Sequence, residues 1–263
     1  MYPFIHIGRF SIGTFGILLW LAAVAACWIL IRNFRRWKID ADGISIVAVS
    51  TVAGVIGSKL WHVMETPHAL MAHPADLLFD RAGFAWYGGL IVGILTLLWQ
   101  ARVYKLGPLQ MLDLASPAAA IGYGVGRLGC LVSGDGDYGI PTSLPWGMSF
   151  PHGLVPTFQK VHPTPIYELL GAIVITWILW VRGGPDKPKP IGQITGEYLI
   201  LTGIARFLVE FIRINPRVLW GMTNAQLASL GAIGFGLALI AAVRARNAAS
   251  AGKAADRTAA AHS

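Results

Sequence analysis

The chain has 263 residues, of which 55% are hydrophobic and 13% charged, with a mean hydropathy of +0.58 and a formal net charge of +8. That balance excludes an ordinary soluble domain or a disordered chain and points to an integral membrane protein. A nucleic-acid-binding role is excluded as well, because the lysines and arginines are dispersed over four short loops instead of forming one patch.

A helix that crosses a bilayer needs about 20 consecutive, mostly apolar residues. Seven stretches meet that condition, at 11–31, 44–64, 84–104, 111–131, 164–181, 191–212 and 225–243. Backbone polar groups in hydrocarbon must be satisfied within the segment, and none of the seven alternates apolar and polar residues as a barrel strand does, so each reads as a helix. The expected fold class is an all-α integral membrane protein with seven transmembrane helices. Residues 1–247 make one transmembrane domain, including a small extracytoplasmic cap at about 133–163 that is rich in Gly, Pro, Trp and Phe. Residues 248–263 read as a disordered cytoplasmic tail.

Basic residues set the orientation. Arg32, Arg35, Arg36 and Lys38 follow the first window, Arg102 and Lys105 lie at the end of the third, Arg182, Lys187 and Lys189 follow the fifth, and Arg244, Arg246, Lys253 and Arg257 follow the seventh. That side is expected to be cytoplasmic, with the N-terminus and its Arg9 outside and the C-terminus inside. The basic cluster after the first window follows the apolar run instead of preceding it, so that window reads as a retained helix and not as a cleavable signal peptide. The 65–83 segment is the second sizeable outer loop, and 182–190 is a short Pro-rich cytoplasmic turn. Cys27 and Cys130 belong to different windows, which predicts no disulfide and no metal-ligand spacing.

Ionisable groups inside or at the ends of the windows are the candidates for chemistry. The fourth window ends in Gly126-Arg127-Leu128-Gly129-Cys130-Leu131-Val132-Ser133-Gly134-Asp135-Gly136-Asp137-Tyr138-Gly139. Glycines there let backbone N–H groups approach an anion closely, while Arg127 supplies a permanently charged fork for phosphate oxygens. The same residues also fit a polar helix end whose arginine snorkels to the headgroups. His162-Pro163-Thr164-Pro165-Ile166-Tyr167-Glu168 opens the fifth window, where prolines suit a first helical turn and the helix dipole favours a carboxylate at Glu168. Histidine is the side chain best suited to proton transfer near neutral pH, so His162 is either a catalytic or substrate-orienting group or a capping residue. In the sixth window Arg206 and Glu210 are spaced i,i+4 and share one helix face, as a functional pair or as a structural interhelical one. Arg213, nearer the outer boundary, reads as a snorkelling side chain.

With these residues in place, the chain resembles the prolipoprotein diacylglyceryl transferase family. The likeness runs from Ile7-Gly8 and Gly16 through Gly88-Gly89-Leu90, Gly126-Arg127-Leu128-Gly129 and the 162–168 cluster to the 203–213 helix, covering nearly all of the chain except its tail. The resemblance implies a bacterial plasma (inner) membrane enzyme that moves the diacylglyceryl group of phosphatidylglycerol to the lipobox cysteine thiol of prolipoprotein signal peptides, releasing glycerol 1-phosphate. It implies a monomer among membrane lipids that needs no cofactor. It implies Arg127, Arg206 and Glu210 as the catalytic frame, with His162 as the candidate base for the thiol proton and Tyr87 or Asp135 as a proton relay. Gly88, Gly89, Gly126, Gly129, Glu168 and Arg213 join Arg127 and Arg206 in the implied substrate-binding set.

The chain departs from the family pattern at several places. Cys130 and Ser133 stand where two asparagines are common, Asp135 where a glutamate is, and Tyr87 where a histidine often precedes the Gly-Gly-Leu element. Phe15 and Thr202 replace tyrosines. Alternative readings are therefore a catalytically impaired phospholipid-binding relative or a transferase with a different acceptor. Cys130 is either a buried packing residue or a nucleophile of the protein's own. A transporter lacks support, since no paired repeats or matching interrupted helices are present.

Overall fold

The computed structural model describes residues 3–8, 10–67 and 83–260. Arg9, most of the 65–83 loop and residues 261–263 lie outside the described residues. The chain opens with an antiparallel hairpin of β1 (Phe4–Ile7) and β2 (Phe10–Gly13). Thr14 ties this hairpin to the first helix, its amide and its hydroxyl both donating to the Pro3 carbonyl at 3.0 Å. Seven α-helices follow among the described residues: α1 (Thr14–Arg36), α2 (Gly43–Glu65), α3 (Trp86–Val103), α4 (Pro108–Ser133), α5 (Thr164–Arg182), α6 (Gln193–Val209) and α7 (Asn224–Ala260).

Local chemistry explains where several of them start and stop. Asp42 caps α2 by accepting from the amides of Ile44 at 2.9 Å and Ser45 at 3.2 Å. Pro108 and Pro165 occupy first-turn positions, where a missing N–H costs nothing, and Gly134 closes α4 in the left-handed conformation at φ +58°. In space α4 is central, packed against α1 on one side and α5 on the other. The α2–α3 pair extends the bundle beyond α1, and the α6–α7 pair extends it beyond α5.

The bundle is apolar on its outer surface. Trp20, Val52, Leu95, Trp177 and Phe235 are all exposed, as expected of side chains whose solvent is lipid. Among the described residues, four helical segments are long and apolar enough to cross a membrane: α1, α2, α5 and residues 224–250 of α7. The other three fall short for visible reasons. Gln100 and Arg102 dilute α3, Asp113 and Arg127 interrupt α4, and α6 has only 17 residues.

Small residues set the helix spacing, as they do where no hydrophobic effect drives helices together. A Cβ on Gly88 of α3 would lie 2.3 Å from the Gly57 carbonyl oxygen of α2, and one on Gly236 of α7 would lie 2.7 Å from that of Gly196 in α6. At the end opposite the cap, Asp113 of α4 serves as a remote cap for α6. Its carboxylate accepts from the amides of Gly192 at 2.6 Å and Thr195 at 2.7 Å and from the Thr195 hydroxyl at 2.6 Å.

One expectation from the sequence needs correction. Residues 248–260 are not a disordered tail but continue α7, consistent with the high helix propensity of their alanines. Residues 126–133 are the last turns of α4, and the irregular backbone begins at Gly134.

The cap lies over the α4–α6 end of the bundle. It contains the antiparallel pair β3 (Met148–Phe150) and β4 (Thr157–Val161) around a small core of Leu131, Tyr138, Phe150 and Val161. The Gly139 amide donates to the His162 carbonyl and the Ile140 amide to that of Ile212, both at 2.8 Å. These bonds stitch the segment after α4 between the start of α5 and the end of α6. A second hairpin, β5 (Arg217–Leu219) and β6 (Met222–Thr223), leads into α7.

The packing account is testable in detergent. Gly88→Ala is expected to lower the unfolding midpoint, at a cost of about 1–3 kcal/mol for forcing a methyl into a filled contact. Gly93→Ala, whose Cβ meets nothing nearer than the Ser50 carbonyl at 3.8 Å, is expected to leave the midpoint unchanged.

Candidate functional site

Where α4, α5 and α6 meet under the cap, three arginines and three carboxylates form one network. Glu168, on the second turn of α5 and 4% exposed, is its centre. Its Oε2 accepts from Arg127 Nε at 2.8 Å and lies 2.7 Å from Arg127 Nη2 and 3.4 Å from Arg213 Nη1. Its Oε1 accepts from Arg206 Nη1 at 2.9 Å and from the Tyr123 hydroxyl. Glu210, fully buried, pairs through Oε2 with Arg206 Nη2 at 2.9 Å and with Arg213 Nε at 3.5 Å, while its Oε1 accepts from Asn215 Nδ2 at 2.5 Å. Asp137 accepts from Arg127 Nη1 through Oδ2 at 2.5 Å and from Arg213 Nη2 through Oδ1.

Buried ions survive only when paired and hydrogen-bonded, and here each charge has at least two partners. The pairing is not complete in direction: Arg127 Nη2, Arg213 Nε and Glu210 Oε2 are buried without an aligned hydrogen bond, although each lies within ion-pair distance of a partner. Arg206, with 27% of its side chain exposed, is the most open guanidinium of the three. The cluster therefore presents fixed cationic forks in a low-dielectric setting, the arrangement that stabilises negative charge on oxygen most strongly.

The two loop aspartates differ. Burial raises the Asp137 carboxyl, but Arg127 and Arg213 outweigh that and hold it below the usual carboxylate range. Asp135 is raised, by burial first and then by the Asp137 charge beside it. Cys130 Sγ, 3.3 Å from Arg127 Nη1, and the oxygens of Asp135 and Asp137 lie within 4.8 Å of one another. This three-ligand group was invisible in the linear spacing. Two guanidinium groups already occupy Asp137, and their charge opposes a cation there.

Among the residues the sequence singles out, the structure brings together Arg127, Arg206, Glu210, Glu168 and Arg213, with Asp135 beside them. Glu168 is not in the first helical turn, and the three arginines, not the helix dipole, hold its charge. Arg213 does not snorkel, since its side chain is 4% exposed and turned into the network. After the 3-10 turn Glu210–Ile212 the backbone becomes extended, which directs Arg213 back toward Asp137.

Other candidates stand elsewhere. His162 faces Tyr167, with Nδ1 3.1 Å from a hydroxyl that also accepts from Trp146 Nε1 at 2.7 Å. This trio edges an apolar cavity of about 540 Å³. Tyr87 is exposed, edge-on to Trp86, and no contact among the described residues joins it to the arginines. Gly88 and Gly89 are accounted for by the close approach of α2, and Gly129 by Phe15, whose ring a Cβ would meet at 3.0 Å. A Cβ on Gly126 would find only Ala22, at 3.9 Å. The Thr202 hydroxyl bonds its own helix at the Tyr198 carbonyl, and the phenol at this site comes instead from Tyr123 of α4. Three participants were missed: Tyr123, four residues before Arg127 and so on its face, could have been found by helical spacing, whereas Asp137 and Asn215 sit on loops that spacing does not resolve.

Fold and site together define a mostly helical, multi-pass membrane protein with an arginine-rich site at one end of its bundle. The family model described as prolipoprotein diacylglyceryl transferase matches residues 3–242, and the chain belongs to that family. Proteins named phosphatidylglycerol–prolipoprotein diacylglyceryl transferase are similar to it. That of Leptospira interrogans is 32% identical over 233 residues, covering 78% of this chain and 72% of its own. That of Polynucleobacter asymbioticus is 32% identical over 237 residues, covering 85% and 87%. That of Clostridium tetani is 30% identical over 227 residues, covering 85% and 90%.

If Glu168 organises the cluster, Glu168→Ala leaves three buried arginines short of a partner. It is expected to cost about 3–5 kcal/mol of stability. Thermal unfolding in detergent should show a larger loss for Glu168→Ala than for Asp137→Ala, which removes a more exposed carboxylate.

Proposed function

We propose that this protein transfers the diacylglyceryl group of phosphatidylglycerol to the lipobox cysteine thiol of prolipoproteins and releases glycerol 1-phosphate. The observation that carries this reading is the convergence of Arg127, Arg206 and Arg213 on one buried carboxylate at the outer ends of α4 to α6, in a chain of this family. In the reaction the acceptor sulfur forms a bond to the glycerol carbon as the carbon–oxygen bond to phosphate breaks. The electron pair leaves on the phosphate oxygen. Arg127 and Arg206 meet that growing charge with donors already in place, so little reorganisation accompanies the step.

The thiol must also lose a proton. Asp135 is the assigned acceptor, because it adjoins the arginine cluster and its environment makes it more basic than an ordinary carboxylate. His162, at the apolar cavity with Tyr167 and Trp146, is assigned to substrate positioning. All seven helices are proposed to cross a bacterial plasma membrane, with α4 shielded by α1 and α5. The N-terminus and cap face outward and the end of α7 faces the cytoplasm, in keeping with the lysine and arginine distribution. The unit is proposed to act as a monomer.

Purified protein in phosphatidylglycerol vesicles, given a lipobox peptide, is expected to add one diacylglyceryl group per cysteine, read by mass. Arg127→Ala and Arg206→Ala should abolish transfer, and the lysine variants should recover little, since an ammonium lacks the planar fork. Wild-type rates in either alanine variant remove that arginine from the mechanism.

The pH profile separates the candidate bases. Asp135 accepts a proton only when ionised, so transfer should fall as pH drops through its raised pKa, giving an acid limb above the ordinary aspartate value of about 3.9. Asp135→Asn should lower the rate and remove that limb, whereas His162→Gln should keep it. A limb that vanishes in His162→Gln and persists in Asp135→Asn assigns the proton to His162.

A further inference from the structure

The three carboxylates of the cluster are held in different ways. Glu168 and Glu210 stand on helical backbone with 4% and 0% of their side chains exposed, whereas Asp137 lies on the irregular segment after α4 and is 31% exposed. Its two oxygens are divided between two arginines, Oδ2 on Arg127 and Oδ1 on Arg213, as two oxygens of one phosphate would be.

The Asp137 backbone is pinned independently of that carboxylate. Its carbonyl accepts from the Thr164 hydroxyl and from Arg213 Nη1 at 3.1 Å, and its amide donates to Asp135 Oδ1 at 3.2 Å. Rotation about the side-chain bonds is therefore enough to carry the carboxylate toward solvent while the loop stays in place. That rotation frees one N–H on each of Arg127 and Arg213. Arg127 Nη2 and Arg213 Nε, which already lack aligned acceptors, lie on the same two guanidinium groups.

We infer that Asp137 is a stand-in anion, a positioning residue that keeps Arg127 and Arg213 aimed at one point in the empty site and is displaced by the phosphate of an entering phosphate ester. This rests on the reading of the cluster as a phosphate site. The exchange keeps the buried arginines paired in both states, which avoids the cost of stranding them without a counter-ion. It also puts the carboxylate in competition with the phosphate, so Asp137 weakens ligand binding and speeds departure of a phosphate-bearing product. Glu168 and Glu210, locked between helices, have no such freedom.

The test uses the full chain in detergent, titrated with short-chain phosphatidylglycerol and separately with inorganic phosphate, and follows the ligand-induced rise in unfolding temperature. Asp137→Asn removes the competing charge and keeps the shape, and Asp137→Ser serves as a second variant that retains a small polar group. Both are expected to lower the half-saturating lipid concentration by about tenfold, the scale of one charge-assisted hydrogen bond. In the transfer assay KM for the lipid should fall with it. Inorganic phosphate shows whether a free phosphate suffices, and a gain with the lipid alone supports the inference with the headgroup as source. Unchanged or weaker lipid binding in both variants overturns it. Arg127→Ala keeps the two failures apart. If that variant binds lipid as wild type does, the phosphate site itself is wrong. If it loses binding while the Asp137 variants gain nothing, only the stand-in role fails.

Discussion

Everything around the site depends on one carboxylate buried among three guanidinium groups. Glu168 on α5 faces Arg127 on α4, Arg206 on α6 and Arg213 just beyond α6. In a bundle whose outer surface is apolar, none of these charges can be left alone, since an unpaired ion in low dielectric costs several kcal/mol. The pairings therefore constrain three helix ends at once. They also fix the arginines where a ligand anion can use them, so the demand for neutrality and the capacity to stabilise a leaving phosphate have the same origin.

The rest of the fold supports that junction from both ends. Away from the cap, Asp113 of α4 holds the start of α6, so the two arginine-bearing helices are tied together about a helix length from the site. At the cap, strand-like bonds from Gly139 and Ile140 to His162 and Ile212 bring Asp137 between Arg127 and Arg213. Glycines then allow the flanking pairs α2–α3 and α6–α7 to close without a side chain between them. The site is thus built on helices and completed by one loop. The rigid members are the arginines with Glu168 and Glu210, and the adaptable one is Asp137.

Much of this was legible in the sequence where the information is periodic. The apolar windows fall on the seven helices, and the i,i+4 spacing of Arg206 and Glu210 appears as an ion pair of 2.9 Å. Legibility fails where the chain leaves regular structure. Asp137 meets Arg213 across 76 residues, a contact set by the cap and by no local spacing. Arg213 looked like a boundary residue because a continued helix was assumed, and the 3-10 turn and extended backbone changed its direction. Gly88 and Gly89 drew notice as members of a motif, yet their neighbours show a packing constraint with α2. The continuation of α7 to Ala260 was missed because a polar, alanine-rich composition fits an extended helix as well as a disordered tail.

The central claim is that the arginines gathered by Glu168 form the place where a phospholipid phosphate sits. A structure determined with phosphatidylglycerol bound tests it most directly. The expected result is headgroup phosphate oxygens within hydrogen-bond distance of Arg127, Arg206 and Arg213, with Glu168 still paired to the arginines. A headgroup located instead against the His162, Tyr167 and Trp146 cavity, with the arginine network unchanged and untouched by the lipid, would contradict it.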